Sequence, residues 1–158
     1  MISPENYLRY SPFFAKAYSM SDLEWEKLQD KIDNLSHSLY DVLISPKSSE
    51  FLRTLGTNNN LSEIQIVDLA ATVRDLIMTE IYLGDIIARI QIKLGISFDQ
   101  ASRMANAVTS DLLGPVLAEI KKLHAEKFST TKSSGEPQQI PSLHEQNIGN
   151  VIDLRIKK

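Results

Sequence analysis

LSEIQIVDLAATVRDLIMTEIYLGDIIARIQIKLGISFDQASRMANAVTSDLLGPVLAEIKKLHAEK, residues 61–127, decides the fold. Ser62 and Gln65 form a capping box, with Leu61 and Ile66 placed as a hydrophobic staple. From there Ile66, Leu69, Val73, Leu76, Ile77, Ile81, Ile87, Ile90 and Leu94 follow helical spacing and make one apolar stripe. Unbroken to Leu94, such a helix would be about 50 Å long. Gly84 lies inside it and either permits close helix contact or marks a break between Met78 and Gly84. Gly95 is the expected left-handed terminator, with Ile96 making the apolar contact of a Schellman motif. Ser97 caps the next helix and Gln100 completes a further box. That helix carries Ala101, Met104, Ala105, Val108, Leu112, Val116, Ile120 and Leu123 on one face. Gly114-Pro115 interrupts it, because proline lacks an amide hydrogen and clashes with the carbonyl four residues back. The pattern predicts a long central helical hairpin.

Upstream, Ser21-Asp22-Leu23-Glu24 is another capping box. Trp25, Leu28, Ile32, Leu35, Leu39 and Val42 then recur every three or four residues, which predicts a single helix. Ser45-Pro46 opens a shorter helix that Gly56 should end, before a loop over Thr57–Asn60. Residues 1–20 form an arm carrying Tyr7, Tyr10, Phe13, Phe14 and Tyr18, whose rings are expected to cover one end of the core. The helical domain is therefore 21–127. The Ser-, Lys-, Gln- and Pro-containing stretch 128–142 has too little apolar surface to fold alone and reads as a linker. Residues 143–158 form an apolar C-terminal tail in which Ile152, Leu154 and Ile156 alternate with Asp153 and Arg155. The fold class is all-α, with about five helices in a bundle or orthogonal array and a flexible tail.

Composition narrows the chemistry. With no cysteine, the chain has no disulfide, thiolate nucleophile, iron–sulfur cluster or thiolate zinc site. A net charge of −3 does not recommend nucleic acid or an anionic membrane as a partner. No apolar run reaches the roughly 20 residues of a membrane span. The opening Met1–Asn6 has an early acid and proline and no apolar core, so no secretory signal is expected and the cytoplasm is the expected location.

His37, His124 and His144 sit on separate segments without metal-ligand spacing. Glu80 and Asp85 could be a buried acid–base pair, but their separation of five residues fits two solvated positions on a helix better. Arg74, Arg89 or Lys93 could partner them at the surface. No nucleophile elbow, phosphate loop or dinucleotide fingerprint is present. No catalytic residue, metal ligand, cofactor or small-molecule ligand follows from the sequence.

The turn at Gly95 has the local form of a helix-turn-helix, which would offer Gln100, Arg103 and Asn106 to a groove. Asp99 and Asp111 would then face phosphate, so this reading is secondary. A carrier of an apolar small molecule or a lipid, with a cavity between the hairpin helices, is a further alternative. The leading expectation is a non-catalytic protein–protein interaction module: a scaffold, an adaptor or a self-associating protein. Val151, Ile152, Leu154 and Ile156 are the partner-binding candidates, since alternating side chains suit strand addition to a sheet edge.

The span Leu69–Lys121 resembles small uncharacterised all-helical proteins of reduced-genome candidate-phyla bacteria. The likeness lies in its Lys93-Leu94-Gly95-Ile96-Ser97 turn, Ala-rich helix and Gly114-Pro115-Val116-Leu117 break. The closing Asn150-Val151-Ile152-Asp153-Leu154-Arg155 is similar to tails of the same group. The resemblance implies a helical fold and carries no activity, cofactor or site with it.

Overall fold

Serine hydroxyls start four helices, and left-handed residues end three. The computed structural model describes residues 11–134, with the backbone alone for residues 17, 18 and 130–134. Among these the α-helices are α1 (Asp22–Asp33), α2 (His37–Ile44), α3 (Pro46–Asn58), α4 (Glu63–Ile77), α5 (Ile86–Leu94), α6 (Phe98–Ala107) and α7 (Leu117–Ser134). The all-α class therefore holds, with seven α-helices where about five were expected. The flexible tail, residues 143–158, lies outside the described residues.

The two extra helices come from breaks that apolar spacing does not reveal. Leu35, Leu39 and Val42 stay in phase with α1, yet the helix stops at Asp33. The Asn34 side-chain amide donates to the Asp30 carbonyl at 2.7 Å, and the Ser36 hydroxyl accepts from the Leu39 amide at 3.3 Å. Short polar side chains here offer the backbone alternatives to helix, and Ser36 becomes the cap of α2. The α1 box forms as expected. Ser21 N–H and Oγ–H each donate to Glu24 at 2.8 Å, and these bonds hold the Glu24 carboxyl below its ordinary value.

The long helix also divides, between Met78 and Gly84, which was the alternative to a continuous helix. α4 ends at Ile77, and Thr79 adopts φ +58°. The Glu80 amide then reaches back to the Asp75 carbonyl at 2.8 Å, the long bond of a Schellman turn. The same device ends α3 through Asn60 (φ 59°), with Leu61 N–H donating to Gly56, and α5 through Gly95 (φ 64°), with Ile96 N–H donating to Gln91. Glycine was expected to end α3, at Gly56, and α5, at Gly95, but only Gly95 takes the role. A left-handed conformation costs a non-glycine residue about 1–2 kcal/mol. Thr79→Gly is therefore expected to raise stability by about 0.5–1 kcal/mol once glycine's larger unfolded-state freedom is subtracted. A urea midpoint that stays level or falls would contradict this.

Gly56 does not end α3. The helix continues to Asn58, and Gly56 is buried where α3 meets α4. A Cβ there would sit 2.4 Å from Ile66 Cγ1, so glycine serves close approach rather than termination. The Gly114-Pro115 break is present. The Leu113 amide bonds to Val108, five residues back, in a π-turn over Val108–Leu112, and a 3₁₀ turn over Gly114–Val116 leads into α7. α7 runs through Phe128 to Ser134, into the stretch assigned from composition to a linker.

The chain divides into two compact units, residues 1–123 and 124–158. In the first, α4 is central and buries Ile66, Leu69, Ala70, Thr72, Val73, Leu76 and Ile77. It packs against α3, α5 and a 3₁₀ segment over Pro12–Ser19. Phe13 and Phe14 in that segment are 1% and 0% exposed, so they belong to the core. Arg74 Nη1 donates to the Phe13 carbonyl at 2.9 Å, and Lys16 pairs with Asp68. α5 and α6 form the hairpin, shorter than expected because the preceding segment is broken. In the second unit His124 is 2% exposed and meets Phe128 edge-on at 5.4 Å between ring centroids. No helix among the described residues is long and apolar enough to cross a membrane.

Candidate functional site

Four helix ends, the last turns of α3 and α5 and the first turns of α4 and α6, are tied together in the first unit by side chains. Gln65 uses both halves of its amide. Its oxygen accepts from Ser62 N–H at 2.9 Å, closing the α4 box, and its nitrogen donates to Leu94 O, the last carbonyl of α5, at 2.8 Å. Gln100 was expected to close a box of its own. Its backbone amide does bond the Ser97 hydroxyl at 3.2 Å, but its side chain donates instead to Asn59 O, just past α3, at 2.9 Å. α6 is thereby tied to the α3–α4 turn, and α4 to the α5–α6 turn.

Large apolar side chains are exposed on these helix ends, among the exposed charges of Glu63, Lys93 and Asp99. Ile64 in the first turn of α4, Ile92 in the last turn of α5 and Phe98 opening α6 are 73%, 78% and 59% exposed. All three lie off the stripes that build the core, which is the signal by which sequence could have found them. Burial of Ile66, Ile90 and Leu94 fixes the inward direction of α4 and α5, and Ile64 and Ile92 fall opposite it.

A second feature is a groove between α1 and the end of α4. One part, about 360 Å³, is lined by Met20, Leu28, Lys31, Arg74, Met78 and Glu80. An adjoining part, about 280 Å³, shares Lys31 and Met78 and extends past Leu35 and Thr79 to Leu123. Lys31 pairs there with Glu80 at 2.5 Å and Arg74 with Asp75 at 3.1 Å, and Glu24 and Lys27 also line it. Sequence could not foresee this groove, because its shape depends on the left-handed turn at Thr79.

The residues singled out from sequence fall as follows. Glu80 and Asp85 are both exposed, so they are not a buried carboxylate pair. His37 is exposed and lies 3.4 Å from Asp41. No cluster of three metal-ligating side chains occurs among the described residues. Arg103 and Asn106 are exposed on α6, whereas Gln100 is half-buried with its amide engaged by Asn59. The helix before the Gly95 turn, α5, has nine residues and is not too long for a helix-turn-helix. Exposed Asp99 nevertheless stands beside the groove-reading positions. Neither part of the groove lies between α5 and α6, where a carrier cavity was expected. Val151, Ile152, Leu154, Ile156 and His144 lie outside the described residues.

No family model, curated protein or solved structure matches this chain.

Proposed function

We propose that the protein is a non-catalytic helical protein–protein interaction module. The observation that supports this reading is the exposure of Ile64, Ile92 and Phe98 on three helix termini that the Gln65 and Gln100 clamps tie to their neighbours. Large apolar side chains on a rigid frame suit a partner surface, because binding them removes apolar area from water without ordering a loop. Nucleic-acid binding has less support: α6 exposes one cation, Arg103, together with Asp99.

The sequence adds a second docking element, Val151, Ile152, Leu154 and Ile156, whose alternation suits pairing with a partner's sheet edge. The test is quantitative crosslinking and mass spectrometry on three full-length chains expressed in parallel. These are the wild type, Ile64→Asp/Phe98→Asp and Ile152→Ser/Leu154→Ser. Specific protein neighbours of the wild type should be lost from the first variant, with the circular dichroism spectrum unchanged. Loss from the second variant alone would move the contact to the tail. Identical neighbours in all three chains would remove the basis for both docking elements.

A further inference from the structure

The chain enters the first unit beside the groove at the end of α4. Ser11, the first described residue, is buried. The 3₁₀ segment that follows it runs antiparallel to α4, because the Phe13 carbonyl meets Arg74 whereas Lys16 meets Asp68, further back along that helix. Traced backwards from Phe13, the chain therefore heads past Arg74 toward Met78, about 6 Å on along the helix. Arg74 and Met78 both line the groove, and so does Met20, just after the same segment. Leu28 on α1, Leu35 just after it and Leu123 complete its apolar walls. The groove carries both signs of charge, with Lys27, Lys31, Glu24 and Glu80 along it.

We propose that the chain's own residues 1–10, which precede the described part, lie along this groove and cover it, with Tyr7 and Leu8 against Leu28, Leu35 and Met78. The inference goes beyond the reading of the protein as an interaction module and does not depend on it. Direction, reach and chemistry carry it. Tyr7 precedes Ser11 by four residues, which span up to about 13 Å when extended. The groove is thus within reach of the segment without displacing any core element. Tyrosine and leucine suit walls of leucine and methionine, since the unbranched thioether adapts to the outline of a ring. Glu5 and Arg9 stand two residues to either side of Tyr7. The groove offers Lys27 and Lys31 to the first, and Glu24 and Glu80 to the second. Tethering makes the contact intramolecular, so a small apolar molecule or a separate peptide has to displace this strap to enter.

The chain has no cysteine, so an engineered pair reports a single contact. In the full chain, Tyr7→Cys/Leu28→Cys and Leu8→Cys/Leu28→Cys are oxidised with glutathione disulfide. Side chains of an extended segment alternate, so one of the two pairs should close a disulfide within the chain in most molecules, whatever the protein concentration. The same arm positions paired with Ile64→Cys, in the first turn of α4 and about 21 Å along it from Met78, should stay unlinked. Tyr7→Ser/Leu8→Ser should raise the fluorescence of the apolar probe anilinonaphthalene sulfonate by roughly twofold or more, with circular dichroism unchanged. The proposal is overturned if neither Leu28 pair closes, if Ile64 links as readily, or if links form only between chains. Equal probe binding by the wild type and the serine variant overturns it as well. The crosslinking comparison above is read at Ile64, Phe98 and the tail, so the broader reading can fail or survive separately.

Discussion

Phe14→Ala is expected to remove about 3–5 kcal/mol of stability, the range for deleting a fully buried aromatic side chain. Phe14 is 0% exposed, and its neighbour Phe13 is 1% exposed. Both lie on the 3₁₀ segment that packs against α4, the most buried helix of the first unit. The segment has little else to hold it. Beyond the two rings there are the Arg74 bond to the Phe13 carbonyl, the Lys16–Asp68 pair at the surface, and the Ser11–Ser49 hydroxyl contact at 3.3 Å. Exposed pairs of this kind contribute about 0–1 kcal/mol. Domains are stable by about 5–15 kcal/mol, so the substitution would take a large fraction of the total. Urea unfolding followed by far-ultraviolet circular dichroism would show the midpoint falling sharply. A change below about 1 kcal/mol would mean that the segment detaches without cost, as an arm rather than as core.

Gly56→Ala is expected to destabilise by about 1–2 kcal/mol, although alanine is the better helix former. On an open helix face the exchange would gain about 1 kcal/mol. Here the new methyl group would meet Ile66 Cγ1 at 2.4 Å and Cδ1 at 2.9 Å. Overpacking of a core position costs about 1–3 kcal/mol. Ile66 cannot simply move aside, because it is buried and lies in the first turn of α4 just past the Ser62 cap. The same exchange made in an Ile66→Ala background should be neutral or stabilising, since the clashing atoms are then gone. Equal losses in both backgrounds would rule out this contact as the cause.

These two positions also show what the sequence made legible. Apolar spacing gave the inward faces correctly for Ile66, Leu69, Val73, Leu76, Ile90, Leu94, Met104 and Ile120, because burial follows helical period whether or not the helix is continuous. For the same reason spacing could not show where a helix stops. Leu35 and Leu39 stay in register across the Asn34–Ser36 break. Thr79 ends α4 against its own conformational preference, so no rule for terminators finds it. Gly56 looked like a terminator because glycine commonly is one, and only the packing of α3 on α4 reveals its other use. At the candidate site, Gln65 and Gln100 were identified as capping residues, but the far ends of their side chains reach elements 29 and 41 residues away. Such long-range bonds leave no local pattern. Ile64, Ile92 and Phe98 could have been noticed as apolar residues out of phase with every stripe.

The Gln65 amide has a consequence for what substitutions this position can accept. In most capping boxes glutamate and glutamine are synonyms, because only an acceptor oxygen is read. Here glutamate would satisfy Ser62 and fail Leu94, and it would set a negative charge against a carbonyl at the negative end of α5. A single nitrogen atom thus turns a degenerate position into a two-letter word with one spelling. A residue outside the core is restricted by a bond that joins two helices.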